Sequence, residues 1–469
     1  MLTNIVRGKL VAMILGSYGM GISSLIMSTI QPIVQFFSFG IPMASVSCIG
    51  NAKDDREVAS KVVAYRRCMF LLALLALVFT VSFSPLISQW TFSDDTDGIL
   101  YVIMASVAVL LTIITNGEIA ILQSVRELKR LARCNIVGPI CGLAIGVPIF
   151  YFFGVAGIVP SIIIQAFVIW IFARWNTMKL GISAKQSWGE TFELGRTVMV
   201  LGGTMMLSGL LVNLTTYVIN AFVNNYGNTA DVGLYQGANI ITLQCIALVF
   251  SAFATDYYPH LSQVSGDREK MATLVNQEVE VVMSIMSVVA ATLIVFAPLV
   301  VRLLLTEEFM CIIPVIQIMS LAFLMKALYF PMGYIVYAKG DKFFYLLISG
   351  LLLNAKYVLL SVLCYMKLGV VGLGLGFAVS EVIDMIVIIS YIRCKYHVGY
   401  SYKTYLSAVI SFVVCLAMLL CHNSDVDGCV AIACNVCLLT GIVLLSLYNI
   451  NRRVDIMSCI KKMLNKKNG

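Results

Sequence analysis

The residues best placed to do chemistry in this 469-residue chain are charged ones that lie where charge is costly. Arg7 and Lys9 sit in the apolar stretch NIVRGKLVAMILGSYGMG, Lys326 and Lys356 lie mid-run in two later runs, and Glu381 and Asp384 share a fourth. Ionisable groups inside long apolar runs are expensive, and they usually face a cavity or a partner. Arg302, Lys367 and Asp256 fall near run ends, where side chains snorkel to water. Lys326 and Lys356 are too far from either end for that reading. A cavity lined by Arg7, Lys9, Lys326 and Lys356 favours an anion, because guanidinium and ammonium groups are natural phosphate partners. Glu381 and Asp384 are spaced i, i+3 and share a helix face. Two carboxylates on one face of a poorly solvated cavity resist being ionised together. That suits a proton or sodium relay; ion pairing with Lys326 or Lys356 is the alternative and does not exclude one. The adjacent Gly202 and Gly203 are hinge candidates.

The elements that carry these groups follow from composition. The chain is 60% hydrophobic and 12% charged, where an ordinary soluble domain is roughly 25% charged. Apolar runs of about 20 residues recur throughout, each long enough to cross a bilayer as a helix. They do not alternate polar and apolar residues, so they are not barrel strands. The expected fold is all-α and polytopic, with about fourteen spans near 3–16, 22–46, 65–90, 98–123, 134–154, 155–176, 194–222, 233–257, 276–305, 310–338, 342–366, 370–392, 404–421 and 428–449. The fifth and sixth meet around Gly154 as a tight hairpin.

Cations set the orientation. Of the 32 Lys and Arg, all but Arg7, Lys9, Arg302, Lys326, Lys356 and Lys367 fall in segments on one side, while Asp94, Asp95, Asp97, Asp231, Asp425 and Asp427 fall on the other. The positive side is cytoplasmic, so both termini are expected inside. The net charge of +8 therefore encodes topology and is no nucleic-acid signal. Trp90, Trp170 and Trp175 suit interfacial belts or simple packing.

Other motifs weaken rival chemistries. There is no phosphate-binding G-x-x-x-x-G-K-[ST] loop, so no nucleotide is expected. GLGLG (372–376) lies in a span, where small residues let helices approach. The scattered His260, His397 and His422 make no metal site. CNVC (434–437) has a redox spacing but sits in an apolar run, and of the 14 cysteines Cys48, Cys141, Cys245, Cys364, Cys415 and Cys437 lie within or at the ends of apolar runs and read as small hydrophobes. NLT at Asn213 falls in a span. The first run has no small-residue cleavage site and blends into the next, so no cleavable signal peptide is expected. No cofactor is expected. The outward loops are short, which argues against a membrane polymerase or ligase.

The chain repeats itself. FGVAGIVPSIIIQ begins at Phe153 and LGVVGLGLGFAVSE at Leu368; Gly154 and Gly157 match Gly369 and Gly372, an offset of 215 residues (369 − 154). The expected organisation is two six-span halves, 1–190 and 191–392, an added pair over 393–450, and a basic cytoplasmic tail, 451–469. Six spans is an even number, so the halves are parallel repeats, a transporter architecture with the substrate site between them.

Taken in order, RGKLVAMILGSYGMG (7–21), VGLYQGANII (232–241), DYYPHLS (256–262) with VNQE (275–278), PMGYIVYAKGDKFF (331–344) and GVVGLGLGFAVSE (369–381) resemble bacterial O-antigen and polysaccharide flippases. These form part of the multidrug/oligosaccharidyl-lipid/polysaccharide exporter superfamily. His260 stands where that family commonly has arginine. The resemblance implies two six-helix lobes around a central cleft and alternating access. Its implied substrate is an undecaprenyl-pyrophosphate-linked oligosaccharide, crossing a bacterial inner membrane. Arg7, ahead of Ala12 and Gly16, matches a functional first-span arginine of the related lipid II flippases. Members usually carry about twenty residues ahead of the stretch that starts here at Asn4, so the first span is expected to be short. The implied partners are the lipid-linked substrate, membrane lipids and other polysaccharide-assembly membrane proteins. The rival within the superfamily is a multidrug/ion antiporter, against which the cations at Arg7 and Lys9 argue.

Overall fold

The computed structural model describes residues 2–50, 52, 54–92, 97–182, 184, 187–341, 343–422 and 428–454. Lys53, Lys185, Lys342, Asp94, Asp95, Asp425, Asp427 and the tail beyond residue 454, all used in the topology argument, lie outside them. Among the described residues every regular element is helical. In order they are α1 (Leu2–Ser38), α2 (Ile41–Gly50), α3 (Asp55–Ser82), α4 (Ser84–Phe92), α5 (Gly98–Ser124), α6 (Leu128–Phe153) and α7 (Ile158–Met178). Then come α8 (Trp188–Tyr226), α9 (Thr229–Gln263), α10 (Arg268–Leu304), α11 (Ile313–Ala338), α12 (Leu353–Tyr396), α13 (Tyr402–His422) and α14 (Gly428–Val454). A π-helical stretch, Phe344–Leu352, leads into α12.

Helix is what an apolar environment demands, since each backbone N–H and C=O must be paired within its own segment. Side-chain hydroxyls obey the same rule. Thr29, Thr80, Thr115, Thr242 and Ser320 each donate to the carbonyl four residues back, at 2.7–2.8 Å. Two helix starts that face water are capped by side chains. Ser187 and Glu190 form a capping box on α8, and Asp267 accepts from the Glu269 and Lys270 N–H groups at the head of α10.

Three glycines turn the chain back on itself. Gly16, Gly154 and Gly369 share φ near +60° (65°, 60°, 58°) with ψ of −162°, −137° and −141°, a region that side chains avoid. After Gly154, α7 returns along α6. A Cβ on Gly157 would stand 2.6 Å from the Ile149 carbonyl oxygen, while Gly146 faces Ser161, Gly142 faces Gln165 and Gly138 faces Ile169. Gly138, Gly142 and Gly146 thus form a small-residue stripe against which α7 packs at backbone distance. At Gly369 the pattern recurs. A Cβ on Gly372 would stand 2.1 Å from the Cys364 carbonyl oxygen, and one on Gly376 would stand 2.9 Å from Ser361 Cα. At the repeat offset, Gly146–Ser161 becomes Ser361–Gly376, so the small pair is kept with its members exchanged. At Gly16 the proof of reversal is a hydrogen bond. Arg7 Nη2 lies 3.4 Å from Ser23 Oγ, whereas 16 residues of straight helix would separate them by about 24 Å.

Ten helical stretches are long and apolar enough to cross a membrane, and three of them, Thr3–Ser38, Leu128–Met178 and Leu346–Tyr396, contain a reversal. With the shorter apolar Cys434–Asn449, each of the fourteen expected spans has a helical segment. The first arm, up to Gly16, is short, about 20 Å against a hydrocarbon core of roughly 30 Å. Two spans differ in detail. The second is broken at Phe39 and Gly40 (φ 49° and 63°), because Gly40 packs directly on α8, where its Cβ would stand 2.1 Å from the Gly202 carbonyl oxygen. The third divides into α3 and α4 at Phe83 (φ −95°, ψ 6°), and Pro85 follows in the first turn of α4, where its missing N–H costs no bond within the new helix.

The chain forms two compact units, Met1–Gln236 with Ser349–Val358, and Gly237–Ile348 with Leu359–Gly469. In the first, α5 packs on α1, α2, α3 and α7, and α8 covers α1, α2, α3 and α4. In the second, α10 packs on α11, α13 and α14. Its buried face, Val275, Val279, Val282, Met286, Ala290, Ile294, Ala297 and Val301, repeats every three or four residues, as a helix with one packed stripe must.

Candidate functional site

In the first unit, the Gly16 reversal brings Arg7, half-buried in the first arm, against Ser23 of the second. Ser23 is neutral, and Arg7 has no carboxylate partner among the described residues. Lys9, two residues on, points to another side of the helix, since i and i+2 do not face each other. Beyond Ser23 a polar tract continues. Ser24 Oγ donates to Gln236 Oε1 at 3.3 Å and accepts from Asn220 Nδ2 at 3.3 Å. Tyr235, beside Gln236, shares a 2.7 Å hydrogen bond with Tyr357, the neighbour of Lys356. Arg7 and Lys356, 349 positions apart in sequence, are therefore linked through adjacent polar residues of one unit. Ser24, Asn220, Tyr235 and Tyr357 carry no sequence signal beyond being polar within apolar runs.

Gly202 and Gly203 lie in an uninterrupted stretch of α8. Gly202 is the point at which α8 meets the Phe39–Gly40 turn, and a Cβ there would stand 2.4 Å from the Phe39 carbonyl oxygen. Gly203 faces open space.

A second cluster in this unit is charged and buried. Glu118 in α5, only 2% exposed, accepts from Arg66 Nε (2.8 Å) and Nη2 (3.0 Å), Arg174 Nη1 (3.0 Å) and Thr177 Oγ1 (2.6 Å). Read from sequence, Arg66 and Arg174 are only topology-setting cations at span ends. Their pairing with Glu118 joins α3, α5 and α7 and leaves one surplus positive charge.

In the second unit, Glu381 is buried in the outgoing arm of α12. Its Oε1 lies 3.4 Å from Lys326 Nζ, and its Oε2 accepts from the Tyr329 hydroxyl at 2.7 Å. Lys326 and Tyr329 are spaced i, i+3 on α11, so one face of that helix supplies both partners. Asp384 lies one turn beyond Glu381. Near the end of α12, Asp341 accepts from Lys395 (2.5 Å), Tyr391 (2.6 Å) and Tyr396 (2.8 Å), and its Oδ1 lies 3.4 Å from the Phe344 N–H. Burial works to raise the pKa of this loop carboxyl, but the hydrogen bonds together outweigh it and hold the group well below the usual carboxylate range. Among the described residues no group of His, Cys, Asp and Glu is arranged to hold a metal ion.

A family model described as polysaccharide biosynthesis protein matches residues 10–314. No curated protein sequence matches the chain. Several solved structures share its fold. The lipid II flippase MurJ, in an inward closed conformation, superposes with a TM-score of 0.72 at 14% identity, over 97% of each chain. An inward-facing multidrug resistance MATE family transporter of the MOP superfamily gives 0.68 at 17% identity, over 84% of this chain and 94% of that one. A MOP superfamily transporter from Pyrococcus furiosus, with a binding pocket of reversed polarity, gives 0.57 at 16% identity, over 84% and 91%.

Proposed function

Because the chain belongs to the polysaccharide biosynthesis protein family and has the fold of MOP superfamily transporters, we propose that it is a flippase for a lipid-linked oligosaccharide. Its substrate is an undecaprenyl-pyrophosphate-linked repeat unit such as an O-antigen. That unit moves across the bacterial inner membrane by alternating access, with both termini of the protein in the cytoplasm. The protein acts as a transporter and not as an enzyme.

The observation that carries this reading is the state of Arg7. A guanidinium in an apolar arm, held by a neutral hydroxyl and lacking a carboxylate among the described residues, is a cation awaiting an anion. Its five N–H donors suit phosphate oxygens. Arg7 is the principal pyrophosphate ligand, with Lys356 as a supporting cation of the same unit. Ser24, Asn220, Gln236 and the Tyr235–Tyr357 pair offer hydroxyl and amide groups to a sugar. In the second unit Lys326 already serves Glu381. An anion that drew Lys326 away would leave Glu381 to take up a proton or sodium ion, which supplies an ion-coupled step with Asp384 as a second acceptor.

The test uses proteoliposomes carrying a fluorescent undecaprenyl-pyrophosphate oligosaccharide and an external quencher. Wild type is expected to move the lipid. Arg7→Ala should lose at least about tenfold in rate, the worth of one charge-assisted phosphate contact, and Arg7→Lys should recover part of it. Transport unaffected by Arg7→Ala would remove the phosphate-binding role. Failure of wild type to move any pyrophosphate-linked sugar, alongside proton- or sodium-dependent efflux of a cationic dye, would favour the drug antiporter.

A further inference from the structure

Within the first unit, α2, α3 and α8 enclose a cavity of about 260 Å³ that none of the residues discussed so far uses. Its walls are mainly apolar, with Ile41, Cys68 and Val198 among them, and carry three polar groups, Ser45, Lys61 and Tyr65. Ser45 Oγ donates to the Pro42 carbonyl at 2.9 Å. Lys61 Nζ meets Glu57 Oε1 at 2.6 Å and the Cys48 carbonyl at 2.9 Å. An ammonium has three protons, so one remains unspent among the described residues. Tyr65 is 4% exposed; its hydroxyl makes no hydrogen bond within 3.5 Å among the described residues, and Ser45, the polar side chain that stands near it, spends its own proton on the Pro42 carbonyl. Buried hydroxyls are nearly always paired, and one left alone asks for an acceptor. Tyr65 and Lys61 are spaced i, i+4 on α3, so the acceptor that satisfies one also faces the other. A single water would leave the apolar remainder of the cavity empty.

We propose that this cavity binds a single fatty-acyl chain, with its carboxyl or ester oxygen accepting from the Tyr65 hydroxyl beside Lys61 and its tail between α2, α3 and α8. At about 260 Å³ the cavity is smaller than ordinary ligand sites, which run from about 300 Å³, so it admits the carboxyl end and the first part of one chain and excludes a second. Two sources share that chemistry, a free fatty acid and one chain of a membrane phospholipid. Bound there, the chain braces α2, which follows the Phe39–Gly40 turn, against α3 and α8. The proposal stands on this geometry alone and does not depend on the transported substrate.

The experiment is photolabelling of the full chain in phosphatidylcholine nanodiscs. One arm adds diazirine-bearing palmitic acid; the other carries the diazirine on a phosphatidylcholine chain. Labelled peptides are mapped by mass spectrometry. Label is expected on residues 41–49, 61–68 or 194–198, and the arm that gives it identifies the source. Val198→Phe, which narrows the cavity, should reduce this label several-fold. Tyr65→Phe should reduce it several-fold, because the acyl oxygen loses its hydroxyl donor. If Val198→Phe does not fold, Ala64→Leu narrows the same space from α3. Wild-type label no stronger here than on the lipid-facing Leu444 of α14 would overturn the proposal. So would full label in a cavity-narrowed variant that melts like wild type.

Discussion

Glu118 shows how a single residue in an apolar bundle is committed by its surroundings. Its carboxylate is almost entirely removed from water and is met by two guanidinium groups and a hydroxyl. The pairing offsets a desolvation cost of several kcal/mol per ion, so the net gain is small while the cost of breaking it is large. Glu118→Ala should destabilise by about 3 kcal/mol, because it leaves Arg66 and Arg174 facing each other without a counter-charge. Thr177→Val should cost about 1.5 kcal/mol, the worth of a hydrogen bond to a charged acceptor. Both are read from tryptophan-fluorescence melts in detergent. A Glu118 variant that melts like wild type but fails to transport would show instead that this network serves the moving substrate. The cluster was not legible in the sequence. Arg66 and Arg174 lie 52 and 56 residues from Glu118, and nothing in the local pattern of α3 or α7 points across that distance. Arg7 was legible because its own neighbours make it costly. The pairing of Glu381 with Lys326 was open as one of two readings, whereas Tyr329 went unnoticed, although its i, i+3 spacing from Lys326 was there to find.

At the scale of elements, reversal depends on glycine twice over. Gly369 supplies a backbone conformation that a Cβ disfavours, and Gly372 supplies the space for the returning arm. Gly369→Ala should destabilise by about 1–3 kcal/mol through strain alone. Gly372→Leu should be worse, because its Cβ would have to displace the Cys364 carbonyl; size-exclusion profiles after graded heating would rank the two. A milder effect of Gly372→Leu than of Gly369→Ala would mean that the arms are not closely packed. The loop between α11 and α12 gives a pH prediction. Asp341 titrates below its ordinary value of about 3.9, so its stabilising effect is complete above that value and is lost as pH falls through the folded-state pKa. The melting temperature should be insensitive to this group from about pH 8 to 5 and should fall below about pH 4. Asp341→Asn should melt lower than wild type at pH 7 and lose less on acidification. The hairpin at Gly154 and its echo at Gly369 were readable from the repeat. The break at Phe39–Gly40 was not, because its cause is contact with Gly202, about 160 residues away by sequence number.

At the scale of the whole molecule, apolar run length was enough to place every span. A bilayer accepts only internally paired backbone, which leaves a long apolar run one regular structure to adopt. Orientation is a separate question, decided by where the cations fall relative to those runs. Arg126, Lys129, Arg130 and Arg133 cluster between α5 and the apolar part of α6, and Arg268 and Lys270 stand at the head of α10, whereas Asp97 and Asp231 stand at the opposite ends of α5 and α9. If this asymmetry sets the topology, truncations fused to paired reporters will alternate. Fusions after Arg130, Lys270 and Gly469 should fluoresce with a green fluorescent protein that matures only in the cytoplasm. Fusions after Asp97 and Asp231 should show alkaline phosphatase activity, which needs the outer side. The most informative site is Asp231. It follows α8, and reaching the outer face there requires an odd number of crossings before it. Seven crossings precede it when the Gly16 and Gly154 reversals each separate two full crossings, and the loss of any one of them makes the count even. A cytoplasmic signal after Asp231 together with an outer signal after Asp97 would mean that one of the arms around Gly154 does not cross. The short first arm would be implicated instead if both positions reported the cytoplasm.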